Sequence, residues 1–185
     1  MFYYFVYSIF VLVINSVFAY NTKKRAEKLL ENPYQKLPDI IQDNIPKINL
    51  NIPDYTLFIC IIYSLVFGTN NFYICYNTLL LSLTFRPLFS SLTILPTCMN
   101  KPINNQSLFN KLFNSTHDLI FSGHTCVFLF CGKMIGGNMG FIIQYFNPLL
   151  LIISRQHYTI DVIVAMLMYN SIYYNYVNIS NFMNI

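Results

Sequence analysis

An all-α membrane bundle of six spanning helices is the fold this sequence predicts, and three observations predict it. Charged residues make up only 10% of the 185-residue chain, hydrophobic residues make up 55%, and the mean hydropathy is +0.47. A soluble domain carries about 25% charged residues, so the deficit points to the membrane class. Apolar runs recur along the whole length, and each can be judged against the roughly 20 residues that cross a bilayer as a helix. Polar residues gather in two long segments and one short break between these runs. The length suits one compact domain over residues 1–185.

The first predicted helix covers residues 1–20, "MFYYFVYSIFVLVINSVFAY". A signal peptide is the alternative, but the run lacks a positive leading region and a small-x-small cleavage site, which favours a retained helix. Residues 21–54 form a polar segment whose prolines argue against one long helix, and part of it is expected along the membrane surface. The second helix is expected over 55–67. The tight-turn signal "GTNN" follows it at Gly68 to Asn71. The third runs over 72–95 and carries Arg86-Pro87, a charge beside a helix breaker. Residues 97–117 form the second polar segment. The fourth helix is expected over 118–134, the fifth over 139–154 after "GGN", and the sixth over 158–177 after the brief polar break "SRQH".

The five cysteines are odd in number, lie mostly in apolar runs and show no C-x-x-C spacing. They read as small apolar residues, not as a disulfide framework or a metal set.

Counting crossings puts residues 21–54, 97–117 and 154–157 on one membrane face. The chain's three histidines, His117, His124 and His157, then converge there, with Asp118, Asp161 and Arg86. Ionisable groups gathered at one face of an apolar bundle are a site signal. His157 and Asp161 stand four apart, which on a helix places them on one face. A carboxylate bonded to one imidazole nitrogen sets the tautomer and leaves the other nitrogen to attack or to exchange a proton. Ser122 and Gly123 precede His124 at a helix start, where exposed N–H groups and the helix dipole favour an anion. Gly123 offers no side chain to hold a phosphate away. Arg86 and Arg155 can add positive charge in a planar fork that suits phosphate oxygens. Together these residues suggest phosphoryl transfer on a membrane lipid.

"FSGHT" followed by "HYTID" resembles the lipid phosphatase and phosphotransferase superfamily called PAP2, and more closely its sphingomyelin synthase branch. "QKLPD" (Gln35 to Asp39) resembles that branch's P-x-L-P-D motif. "FRPLFSSLTILP" has Arg86, Thr93, Leu95 and Pro96 at the spacing of its second motif, and "HDLIFSGHT" and "HYTIDV" resemble its third and fourth. The resemblance runs in order from the first helix to the sixth. The simple phosphatases of the superfamily have K-x6-R-P, where position 79 here is Leu, and S-R-x5-H, where Arg155 here stands two residues before His157. Within the synthase branch the third motif usually reads C-G-D. Here it is Thr116-His117-Asp118, and the leading Pro-Pro of the first motif is missing.

The resemblance implies a six-helix PAP2-like bundle that moves a phospho-headgroup, phosphocholine or similar, from a glycerophospholipid to ceramide and releases diacylglycerol. It implies His157 as nucleophile, Asp161 as its partner and His124 as acid and then base, through a phosphohistidine, with no cofactor and no metal. Arg86, Ser122, Gly123 and Arg155 would bind the phosphate. His117, with Asp118, is either a headgroup contact or a plain interfacial residue. A lipid phosphate phosphatase or phospholipase C-like hydrolase is the alternative, and an inactive lipid-binding membrane protein a further one. The expected partners are the phospholipid donor, ceramide or a diacylglycerol-type lipid and the membrane itself, with no nucleic acid.

Sidedness is contested. Ten of the eleven Lys and Arg residues lie on the active face, with only Lys133 on the other, so the positive-inside rule places that face in the cytosol. The resemblance implies the lumenal or exoplasmic face of an endomembrane or plasma membrane. The sequons at Asn105 and Asn114 suit that side.

Overall fold

The computed structural model describes residues 2–30, 37–70, 72–93, 95–96 and 120–182. They contain eight helices: α1 (Phe2–Leu29), α2 (Ile40–Asn44), α3 (Ile52–Phe67), α4 (Phe72–Leu92), α5 (Gly123–Ile135), α6 (Gly137–Tyr145), α7 (Asn147–Ile153) and α8 (Thr159–Phe182). No strand occurs among the described residues. The architecture is all-helical.

Several boundaries differ from those expected. α1 continues nine residues past Tyr20, because "NTKKRAEKL" contains no Pro or Gly and is rich in good helix formers. α3 begins earlier, at Ile52, with Pro53 in its first turn, where a missing N–H costs nothing. α4 stays helical through Pro87 and ends at Leu92. α5 begins at Gly123 behind Ser122, which caps it. Residues 118 and 119, expected to begin this helix, lie outside the described residues. The expected fifth helix is two, α6 and α7, parted at Phe146. Pro148 explains the break, since it cannot donate to the carbonyl of Gln144 and its ring crowds that carbonyl.

α5 is the central helix and packs against α3, α4, α6, α7 and α8. Phe128, Leu129, Leu151, Ile152, Val162 and Tyr169 form the tight middle of the core around it. Gly132 and Gly140 allow close approach of α5 and α6. A side-chain carbon at Gly132 would collide with the carbonyl of Gly140 and with Gln144.

α1 packs on α4 through a polar ladder. The Tyr7 hydroxyl meets Thr84 at 2.9 Å, Asn15 Nδ2 donates to the Leu83 carbonyl at 2.9 Å, Thr22 donates to Ser90 O at 3.3 Å and Arg25 to Ser91 O at 2.9 Å. From Asn15 to Arg25 the partners on α4 advance in step from Leu83 to Ser91, so the two helices run parallel, as a first and a third crossing would. Between helices in hydrocarbon such bonds contribute about 0.6 kcal/mol each.

The surface is inverted relative to a soluble protein. Phe5, Phe58, Ile59, Leu65 and Val66 are exposed, while Ser64, Thr78, Ser82 and Thr125 are wholly buried. A helix surrounded by hydrocarbon gains by turning its large apolar side chains outward and its small hydroxyls inward. Among the described residues, the stretch Tyr4–Leu29 is the one helix long and apolar enough to cross a membrane. Ile52–Phe67, Gly123–Ile135 and Gly137–Ile153 are apolar but shorter. α4 is 21 residues long but contains Asn77 and Arg86, and α8, at 24 residues, contains Asn170, Asn175 and Asn178.

Candidate active site

The site is assembled where the C-terminal half of α4, the start of α5, the start of α3 and the loop before α8 meet. Arg86 stands six residues before the end of α4, about 9 Å below it. Its Nε donates to the Phe121 carbonyl at 3.1 Å and one terminal nitrogen donates to Asn15 Oδ1 at 3.3 Å. These bonds orient the guanidinium across the first turn of α5.

That turn is built by a backbone reversal. Phe121 has φ 76°, the left-handed region that non-glycine residues seldom occupy. It is held there by complete burial and by stacking on Phe89, with ring centroids 5.6 Å apart. Ser122 follows as the cap, its hydroxyl accepting from Thr125 N at 3.2 Å. The next residue, Gly123, lies against Arg86: a side-chain carbon built on it would sit 3.6 Å from Nε. Helix-start N–H groups and a guanidinium therefore share one small volume, a combination that favours an anion.

His124 extends from this turn. Its ring centroid is 6.2 Å from that of His157, with the planes at 57°. His157 Nδ1 lies 3.7 Å from Asp161 Oδ2, so Nδ1 is the ring nitrogen turned to the carboxylate. The i,i+4 pair forms differently from the helical geometry expected. His157 precedes α8, which begins at Thr159, and Asp161 reaches back from the first turn of the helix. The same carboxylate oxygen accepts the Tyr158 N–H at 2.8 Å, half of a capping box. His157 Nδ1 and Asp161 Oδ1 are buried without a hydrogen-bond partner. Groups left so in a closed site mark a place where a ligand or a small closure completes the bonding.

Arg155 meets α2. It has φ 69°, and its guanidinium reaches Gln42 Oε1 at 3.5 Å and the Ile45 carbonyl at 3.3 Å. Gln42 in turn donates to the His157 carbonyl at 2.8 Å. Arg155 thus braces the His157 loop against α2. Phe121 and Arg155, the two non-glycine residues with positive φ among those described, sit just before the two histidine segments. Local backbone strain of this kind persists where packing over-determines it.

Of the "QKLPD" segment, Leu37 to Asp39 are described. Asp39 caps α2 through Ile41 N and Gln42 N and also accepts Thr159 N and Thr159 Oγ1, each at 2.7 Å. It joins the polar segment to the start of α8. Burial alone would raise its carboxyl, but the bonds from Thr159, Gln42 and Ile41 prevail and hold it below the usual carboxylate range. His117, Asp118 and the sequons lie outside the described residues.

Two site neighbours were not singled out from the sequence. Asn15 orients Arg86 from α1, and Asp54 Oδ1 lies 3.5 Å from His124 Nε2. Asn15 has a signal, an amide inside an otherwise apolar run. The carboxylate of Asp54 looks in sequence like an ordinary helix-start residue.

A search of the curated proteins found no match. Residues 116–178 match the family model described as PAP2 superfamily C-terminal. The matched segment is about a third of the chain and includes His124, His157 and Asp161, while Asn15, Asp54 and Arg86 lie before it. This match supports the PAP2 superfamily as the relationship of the C-terminal segment.

Proposed function

We propose that this protein is a multi-pass membrane lipid phosphotransferase of the sphingomyelin synthase type. It would transfer a phospho-headgroup, phosphocholine or similar, from a glycerophospholipid to ceramide. One observation carries the proposal: two histidines from segments more than thirty residues apart approach within 6.2 Å beside Arg86 and the start of α5. The PAP2 match and the outward apolar surface support it, the first for chemistry and the second for repeated crossing.

In the first half-reaction His157 Nε2 attacks phosphorus and the bond from phosphorus to the diacylglycerol oxygen breaks. His124 supplies the proton that this oxygen takes. Arg86 and the α5 N–H groups hold the charge that develops on the phosphoryl oxygens, and Asp161 stabilises the imidazolium. In the second half, His124 takes the proton of ceramide's primary hydroxyl. That oxygen attacks phosphorus, the P–N bond breaks and its electron pair returns to His157. One residue acting as acid and then base suits a double displacement. The site end is assigned to the lumenal or exoplasmic side, against the charge rule. A glycosylation shift lost in the Asn105→Gln, Asn114→Gln double variant tests that assignment.

The activity test uses protein in liposomes with labelled phosphatidylcholine and fluorescent ceramide. A phosphocholine-ceramide product that disappears in His157→Ala supports transfer. Free phosphocholine formed without ceramide dependence replaces transfer with hydrolysis. No turnover of choline, ethanolamine or inositol phospholipids rejects both.

A further inference from the structure

Asp54 is a carboxylate in the first turn of an apolar helix, and it makes no capping hydrogen bond there. It occupies the third position of α3, from which a capping box would return to Asn51 N. Asn51 N instead donates to Asn49 Oδ1 at 2.9 Å, and the Asn51 side chain makes no cap. The Asp54 carboxylate turns to the active site. Oδ1 lies 3.5 Å from His124 Nε2 and accepts from Gln156 Nε2 at 3.5 Å. Gln156 also donates to the Leu50 carbonyl at 2.6 Å, and its chain neighbour is His157. The first turn of α3 is thereby tied to both histidine segments.

Each histidine consequently has its own carboxylate. His157 has Asp161, which is fully buried, and His124 has Asp54, whose side chain is 51% exposed. The difference suits different tasks. A buried, capped carboxylate favours a fixed imidazolium partner for a nucleophile. A wetter contact permits a ring that gains and loses a proton in each cycle. Among the described residues, the charged and titratable groups around His124 are Asp54 on α3, Arg86 on α4, His157 in the loop and Asp161 on α8. Arg86 and a charged His157 both oppose a proton on His124, and Asp54 is the anion in contact with it.

We propose that Asp54 is the positioning residue of His124. It turns Nε2 toward itself, presents Nδ1 to the lipid oxygen and offsets the neighbouring positive charges when the ring is protonated. This inference rests on His124 exchanging protons with substrate, as in the function proposed above.

The test is the full chain in nanodiscs, treated with diethyl pyrocarbonate over a range of pH, with modification of His124 followed by mass spectrometry. The reagent takes the neutral ring, so the pH of half-maximal rate reports His124 protonation without requiring activity. Asp54→Asn should lower that midpoint by about one pH unit, Asp54→Glu should restore most of it, and Glu27→Gln, an exposed acid on α1, should leave it in place. An unchanged midpoint in Asp54→Asn, or an equal shift in Glu27→Gln, overturns the inference. Gln156→Ala, which frees Asp54 without removing its charge, should keep the midpoint near wild type, and a shift equal to that of Asp54→Asn would contradict a charge effect. In the liposome assay, Asp54→Asn should lose about tenfold in rate and move its pH profile with the midpoint. Absence of wild-type turnover would reject the proposed function, while the modification series would still decide whether Asp54 holds His124.

Discussion

The two ends of the bundle are built from the same kinds of apolar helix but close in opposite ways. At the far end, turns seal the chain. The N–H groups of Thr69 and Asn70 both donate to the Met134 carbonyl, and the Asn70 side chain donates to Lys133 O. Tyr4, Phe72, Tyr73 and Tyr76 pack as an aromatic group there, and Lys133 lies 4.6 Å from the Tyr173 ring and 4.7 Å from the Tyr174 ring. At the site end, the backbone is strained at Phe121 and Arg155, and buried polar atoms on His157 and Asp161 have no partner. One end uses its polar groups to close the fold, and the other leaves some without a partner beside the proposed site.

Variants should separate the two ends. The largest effect is expected of His157→Ala. Loss of the nucleophile should abolish headgroup transfer, by at least about a thousandfold in rate, with the folded bundle retained on size-exclusion chromatography. His124→Ala should follow, with a loss on the order of a hundredfold or more. Unlike His157→Ala, it should still form the phosphoenzyme, slowly, when assayed in a single turnover with labelled donor.

Two glycines on α5 then make a direct contrast. Gly132→Ala should destabilise the protein by about 1–3 kcal/mol in thermal unfolding, because the new carbon meets the backbone oxygen of Gly140. Its folded fraction should keep wild-type turnover. Gly123→Ala should do the reverse. The added carbon makes only ordinary contact with Arg86, so stability should hold while turnover falls about tenfold as the phosphate is pushed from the N–H groups. If both variants lost stability and neither lost turnover per folded molecule, the two ends would not differ as described. The smallest effect is expected of Lys133→Ala, about 0.5–1 kcal/mol of stability from the lost aromatic contacts, with unchanged turnover.

What the sequence revealed depended on whether the physics was local. The apolar runs marked the major helices, because a long apolar helix needs a length and composition that one stretch carries alone. His157 and Asp161 could be paired from their spacing, although the contact forms through a capping turn and not along a helix. The extension of α1 to Leu29 was hidden by the charges of "KKRAEK", which are good helix formers once the chain leaves the apolar zone. Arg155 is a different case. Its position beside His157 suggests a phosphate ligand, whereas its present partners, the acceptors Gln42 and Ile45, are on and beside α2 and could not be read from the sequence. Asp54 was illegible for the opposite reason. Its partner lies seventy residues away, and only the packing of α3 on α5 brings them together.

The division of labour between the two histidines is tested most directly by trapping the covalent intermediate. Phospholipid carrying a radiolabelled headgroup phosphate is mixed with His124→Ala protein without ceramide, and the labelled peptide is identified after quenching in base. An acid-labile, base-stable phosphoramidate on His157, absent from His157→Ala, is the result expected. Label on another residue, or label that survives in His157→Ala, would contradict the assignment of His157 as nucleophile.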